Sequence, residues 1–148
     1  MTLYQKINND LIEAVKLKDE TKVSTLRLLK SAIHNWQIAN QKEPQENEII
    51  SLIQKEIKSR RDAAAIYKQG KREELAQKEE GEILILQKYL PEQMSPDEIK
   101  AKVEEVIVKT QAKSPQDIGK VMGILISELK NKAEPGVVAQ MVKEKLLS

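Results

Sequence analysis

Four groupings of residues in this chain have types and spacings that could do chemistry. Gly119-Lys120 has the outline of the end of a phosphate-binding loop. Such a loop also needs a glycine five residues before its Gly-Lys pair, a Ser or Thr after the lysine, and a strand leading in. Those positions hold Ser114 and Val121, and the lead-in reads as loop, so a nucleotide loop is not expected. His34 is the only histidine and there is no cysteine, so no shared metal site and no Ser-His-Asp set can be completed. Glu79 and Glu82 are a carboxylate pair of the kind used in acid–base work or metal binding, but no nucleophile or base–orienter pair accompanies them. The fourth grouping is Lys120, Lys130 and Lys132, which bracket an apolar segment followed by Pro135-Gly136. A basic turn between two helices suits contact with a phosphate backbone. Lysines at a helix C-terminus also complement the helix dipole with no ligand at all.

Two further basic faces stand elsewhere. Arg27, Lys30 and His34 recur at helical spacing and make one polar stripe opposite Leu29 and Ile33. Between Lys55 and Arg72 there are seven basic and two acidic residues, and Lys58, Arg61 and Lys68 share one side. From Glu73 to Glu98 there are eight acids and two lysines. An antiparallel hairpin turning at Gln69-Gly70 brings Arg60 level with Glu79 and Glu80. Arg60 is therefore expected to pair with Glu79 or neighbouring Glu82, because a guanidinium fork can hold a carboxylate by two hydrogen bonds. That pair is structural, and it draws part of the basic cluster away from nucleic acid.

These side chains must be positioned by helices. Apolar residues recur at helical spacing over residues 2–17, 21–39, 44–69 and 72–89. Gly70 is expected to close the third helix as a left-handed glycine. Leu75, Ile83, Leu86 and Leu90 are expected to form the apolar stripe of the fourth. Ser95-Pro96-Asp97-Glu98 reads as a capping box with proline in the first turn, and Ser114-Pro115-Gln116-Asp117 repeats the signal. Pro135-Gly136 opens the last helix. Gly119 and Gly123 are four apart and share a helix face. A glycine inside a helix costs about 1 kcal/mol against alanine, and close packing of a neighbouring helix is the expected compensation.

The expected fold is all-α, with a four-helix region over residues 1–91 and a three-helix module over residues 95–148. The absence of Phe and the presence of a single Trp agree with this. The net charge of +2 divides as +1 before Met94 and +1 after it, so no basic tail marks a nucleic-acid partner. The longest apolar run, Val121 to Ile126, is six residues, against about 20 for a membrane span. With no secretory signal visible either, the chain is expected to be soluble and cytoplasmic, with no membrane partner, metal, cofactor or small-molecule substrate.

The chain resembles the YqeY family of small helical proteins over nearly its whole length. The residues that carry the likeness are Ser24-Thr-Leu-Arg-Leu-Leu29, Lys55-Glu-Ile-Lys-Ser-Arg-Arg-Asp62, the stretch from Glu82 through Tyr89-Leu-Pro-Glu-Gln-Met-Ser95, and Gly119-Lys-Val-Met-Gly123. The resemblance implies that the C-terminal part is a GatB/YqeY-type module, similar to the tail domain of the B subunit of the tRNA-dependent amidotransferase. It thereby implies a tRNA or tRNA-handling partner and a link to carbon–nitrogen ligase activity with glutamine as amido donor. The glutaminase and kinase-like centres of that enzyme belong to parts absent from this sequence, so the expectation is a non-catalytic RNA-binding protein. The rival expectation is a protein–protein adaptor without RNA. One departure stands out: Lys132 replaces an arginine common in the family, Pro135 stands at the usual glycine, and a later lysine is lost.

Overall fold

The computed structural model describes residues 1–147; Ser148, the last residue of the expected second module, lies outside the described residues. The described residues form seven α-helices and one 3₁₀ turn, with no strand among them. They are α1 (Leu3–Lys16), α2 (Glu20–Asn40), α3 (Glu46–Gln69), α4 (Glu73–Gln87), α5 (Pro96–Thr110), α6 (Ile118–Glu128) and α7 (Pro135–Leu147), with the 3₁₀ turn at Pro115–Asp117. The chain divides into two compact units, the first ending at Leu90 and the second beginning at Pro91. No helix is long and apolar enough to cross a membrane among the described residues.

In the first unit, α1 starts with a full capping box in which Thr2 and Gln5 satisfy each other's backbone N–H groups. Ile7, Leu26, Leu29, Ile33, Ile53, Ile57 and Leu86 are buried side chains of one core. Removing such a side chain from water is worth about 1.5–3 kcal/mol each. Tyr89 closes this core, with the Lys6 ammonium 5.7 Å from its ring centre and its hydroxyl donating to Asp10 Oδ2 at 2.6 Å. Burial and that carboxylate push the Tyr89 phenol well above its ordinary value.

Two expectations are corrected here. Gly70 does end α3, but its φ is −84° and it is Lys71, at φ 61°, that takes the left-handed position. Arg72 N–H then reaches back to the Tyr67 carbonyl at 2.8 Å and Lys71 N–H to that of Lys68 at 3.1 Å, a Schellman closure. Leu75 does not join the core of α4; it is 39% exposed, and Ala76 beside it is fully buried.

The second unit packs α5, α6 and α7 around Val103, Val106, Val121, Leu125, Val138 and Val142. Ser95 and Glu98 form both bonds of a capping box at the start of α5, with Pro96 in the first turn. Ser114 and Asp117 do the same, but around the 3₁₀ turn that leads into α6 rather than around an α-helix.

Candidate nucleic-acid interface

The packing of α6 decides which of its residues a ligand can reach. Val121 and Leu125 point into the core, continued by Leu129 beyond the helix end. At about 3.6 residues per turn, Gly119, Lys120, Gly123, Ile126 and Ser127 fall on the other side, and all five are exposed. The expectation that Gly119 and Gly123 pack against a helix is therefore corrected. A Cβ built at either position meets nothing within 4 Å. The glycines lie roughly half a turn from the residues that carry the packing, so no contact among the described residues offsets their helix cost of about 1 kcal/mol each.

This outer side holds no acid. The only carboxylate of α6 is Glu128, and it turns toward Lys102 of α5 at 3.0 Å. Lys120 stands in the first turn. It helps hold the Asp117 carboxyl below the usual range, a shift caused mainly by the backbone N–H groups of Lys113 and Ser114, which donate to that carboxylate at 2.9 and 3.2 Å.

Lys130 and Lys132 follow the end of α6 in a turn whose middle residue, Asn131, has φ 67°. Asparagine tolerates that left-handed backbone better than most residues. Lys132 N–H donates to the Leu129 carbonyl at 3.0 Å, which closes the turn. A second segment braces it. Met94 N–H donates to the Lys132 carbonyl at 2.9 Å, and the Gln93 side-chain amide donates to the Asn131 and Pro91 carbonyls, both at 2.8 Å. Gln93 and Met94 thus set the backbone that carries both lysines. Their bracing role has no local sequence signal, since the partners are 38 residues apart.

Lys130 and Lys132 are exposed and make no ion pair among the described residues. Two other cations of this unit are engaged: Lys102 with Glu128 and Glu105, and Lys145 with Glu104 at 2.7 Å. Hydrogen bonding to Lys145 holds the Glu104 carboxyl down. Lys130 and Lys132 share one turn, while Lys120 lies roughly 15 Å away along the helix axis.

The basic residues of the first unit are arranged differently. Arg27 and His34 are exposed on α2 and Lys30 is half-buried. On α3, Lys58, Arg61 and Lys68 are all exposed, and Lys68 holds Glu80 of α4 at 2.5 Å. Arg60 is buried at 8% exposure and bonds Glu82, with Glu79 at 3.5 Å and Glu56 at 3.8 Å. Burial pushes the Glu82 carboxyl up, and the charge of Arg60 works against that rise. Glu79 and Glu82 are thus held in an ion-pair network, and no group of three or more His, Cys, Asp or Glu could hold a metal among the described residues.

Comparison with known proteins adds lineage to this geometry. A family model described as Yqey-like protein matches residues 4–146. The protein named altered inheritance of mitochondria protein 41, mitochondrial, of Vanderwaltozyma polyspora is 36% identical over 104 residues, covering 68% of this chain and 56% of that protein. Its namesake in Pyrenophora tritici-repentis is 27% identical over 131 residues, covering 86% of this chain and 71% of that protein. In Saccharomyces cerevisiae the figures are 35% over 85 residues, 57% of this chain and 46% of that protein. The chain thus spans about half the length of two of these relatives. All three carry a mitochondrial designation, which overturns the cytoplasmic expectation. That expectation rested on the lack of an export signal and of a spanning segment, and neither feature separates one aqueous compartment from another.

Proposed function

The chain belongs to the YqeY-like family, and from that premise we propose that it binds tRNA, or a tRNA-handling complex, through its second unit as a GatB/YqeY-type module. The observation that carries this reading is the acid-free outer side of α6, with two exposed glycines, Lys120 at one end and the braced Lys130–Lys132 turn at the other. Lysines supply point charges for phosphates, and glycines let a bulky backbone come close to the helix. An RNA duplex presents a wide, shallow minor groove read by shape and by 2′-hydroxyl contacts. The Ser127 hydroxyl lies on the same side of α6 and suits such a contact. In this reading the chain positions RNA, and any amide-transfer chemistry belongs to another protein.

The test is filter binding of tRNA by the unaltered chain and by the triple variant Lys120→Ala, Lys130→Ala, Lys132→Ala. At about 0.1 M salt the variant is expected to bind at least tenfold more weakly. Its slope of log affinity against log salt should flatten by about 2–3, at roughly 0.7–0.9 per lost phosphate contact. A folded variant with unchanged affinity and slope contradicts the site.

A further inference from the structure

Residues 129–134 join α6 to α7. Leu129 and Ala133 are buried in the core of the second unit and pin this connection at two points. Between them, Lys130 and Lys132 are exposed and Asn131 is half-buried. The bond from Lys132 N–H to the Leu129 carbonyl is internal to the connection. A stretch held so locally keeps backbone freedom, and a ligand that engages its side chains must remove that freedom at a cost in affinity.

Gln93 removes part of it in advance. Its side-chain nitrogen meets two carbonyl oxygens, those of Pro91 and Asn131, each at 2.8 Å. An amide nitrogen has two hydrogens to donate, and both are used here. The Pro91 bond folds the short segment back on itself and fixes the direction of the side chain. The Asn131 bond then grips the middle of the basic turn. Met94 N–H grips the next carbonyl, that of Lys132, at 2.9 Å. The segment that does the gripping is itself anchored, because Met94 packs against the second core and Ser95 caps α5. Gln93 is exposed. Its bonds compete with water and add little to global stability, so their main consequence is geometric.

We propose, resting on the RNA reading of this unit, that Gln93 is a positioning residue for RNA binding. It touches no phosphate, and it raises affinity by holding the backbone that presents Lys130 and Lys132.

The test is tRNA binding by the full chain and by Gln93→Met, which keeps the length of the side chain and removes both donors. At about 0.1 M salt the affinity should fall about three- to tenfold, the range expected when one or two side chains must be ordered on binding. The slope of log affinity against log salt should stay that of the parent chain, because every lysine is still present to meet its phosphate. Gln93→Met should have no further effect in the Lys130→Ala, Lys132→Ala background and its full effect in the Lys120→Ala background. A brace that merely keeps the module folded would weaken binding in both backgrounds. Hydrogen exchange in Gln93→Met should be faster at the Met94 and Lys132 amides and unchanged at those of Val121 and Leu125. Gln93 loses this role if Gln93→Met binds like the parent while the triple lysine variant is weakened, which leaves the RNA site standing without it. It also loses the role if the defect persists in the Lys130→Ala, Lys132→Ala background, or if the salt slope flattens as it does when lysines are removed. Affinity unchanged by the triple lysine substitution overturns the RNA site and the role of Gln93 together.

Discussion

The first unit takes charge into its interior, and the second keeps charge outside. Arg60 and Glu82 are buried between α3 and α4, with Glu79 and Glu56 close by. Among the described residues of the second unit no charged side chain is buried, and half of its buried core residues are valine, the rest leucine, isoleucine and alanine. A buried ion pair fixes the register of two long helices, because any slip leaves a charge unpaired in a poor dielectric. An all-apolar core of small side chains specifies register through shape alone, and it leaves the lysines of that unit available at the surface. The first unit is thus built as a rigid hairpin, and the second as a small support for an exposed face.

The largest effect that could break this contrast comes from Arg60→Ala, which strands the Glu82 carboxylate. It should cost about 3–5 kcal/mol, read by urea unfolding with Trp36 fluorescence, which reports only the first unit. Glu82→Gln should cost less, since it removes a buried charge and keeps an acceptor. If Arg60→Ala costs no more than an ordinary surface change, the hairpin is held by apolar contacts alone.

In the second unit the expected effects are smaller. Ser95→Ala removes the cap of α5 and should cost about 1 kcal/mol, read by hydrogen exchange of the α5 amides. Gly123→Ala should stabilise α6 by up to about 1 kcal/mol, because a methyl group there meets open space. Destabilisation by this substitution would show that the glycine packs against something after all.

The pH dependence should differ in sign between the units. The Glu82 carboxyl is raised in the fold, so its contribution is present below its unfolded pKa and is lost as pH rises through the folded one. Asp117 is lowered, so its contribution is present above its unfolded pKa and is lost as pH falls through the folded one. Comparing Glu82→Gln and Asp117→Asn with the parent chain, from about pH 6 down to about pH 2, isolates each sign. Parallel curves for the two variants would contradict the contrast.

The smallest stability change is expected for Lys120→Ala, Lys130→Ala and Lys132→Ala together, each within about 0.5 kcal/mol, because the three side chains are exposed. A large loss of stability would make these lysines structural rather than recognitive.

The all-helical class was legible because apolar residues recur at helical spacing and prolines and glycines fall between the runs. The Ser95–Glu98 cap was legible because a capping box is local. The Thr2–Gln5 box has the same pattern with Gln in place of Glu, and was missed. The inner side of α6 was not legible, since Val121, Met122, Ile124, Leu125 and Ile126 surround the helix. Tertiary packing alone selects Val121 and Leu125, and it turns the glycines outward. At Lys71 a Schellman closure places a lysine, not the adjacent glycine, in the left-handed position. The Gln93 brace on the basic turn is non-local, and only the folded chain shows it.

The central claim is that the outer side of α6 and the turn after it contact RNA phosphates. Its most direct test is binding of the full chain to total tRNA and to an unrelated RNA duplex across a salt series. The account predicts tighter binding of tRNA, with log affinity falling against log salt at a slope of about −2 to −3. No RNA binding near physiological salt, or equal affinity for the two RNAs with a slope near zero, would contradict it.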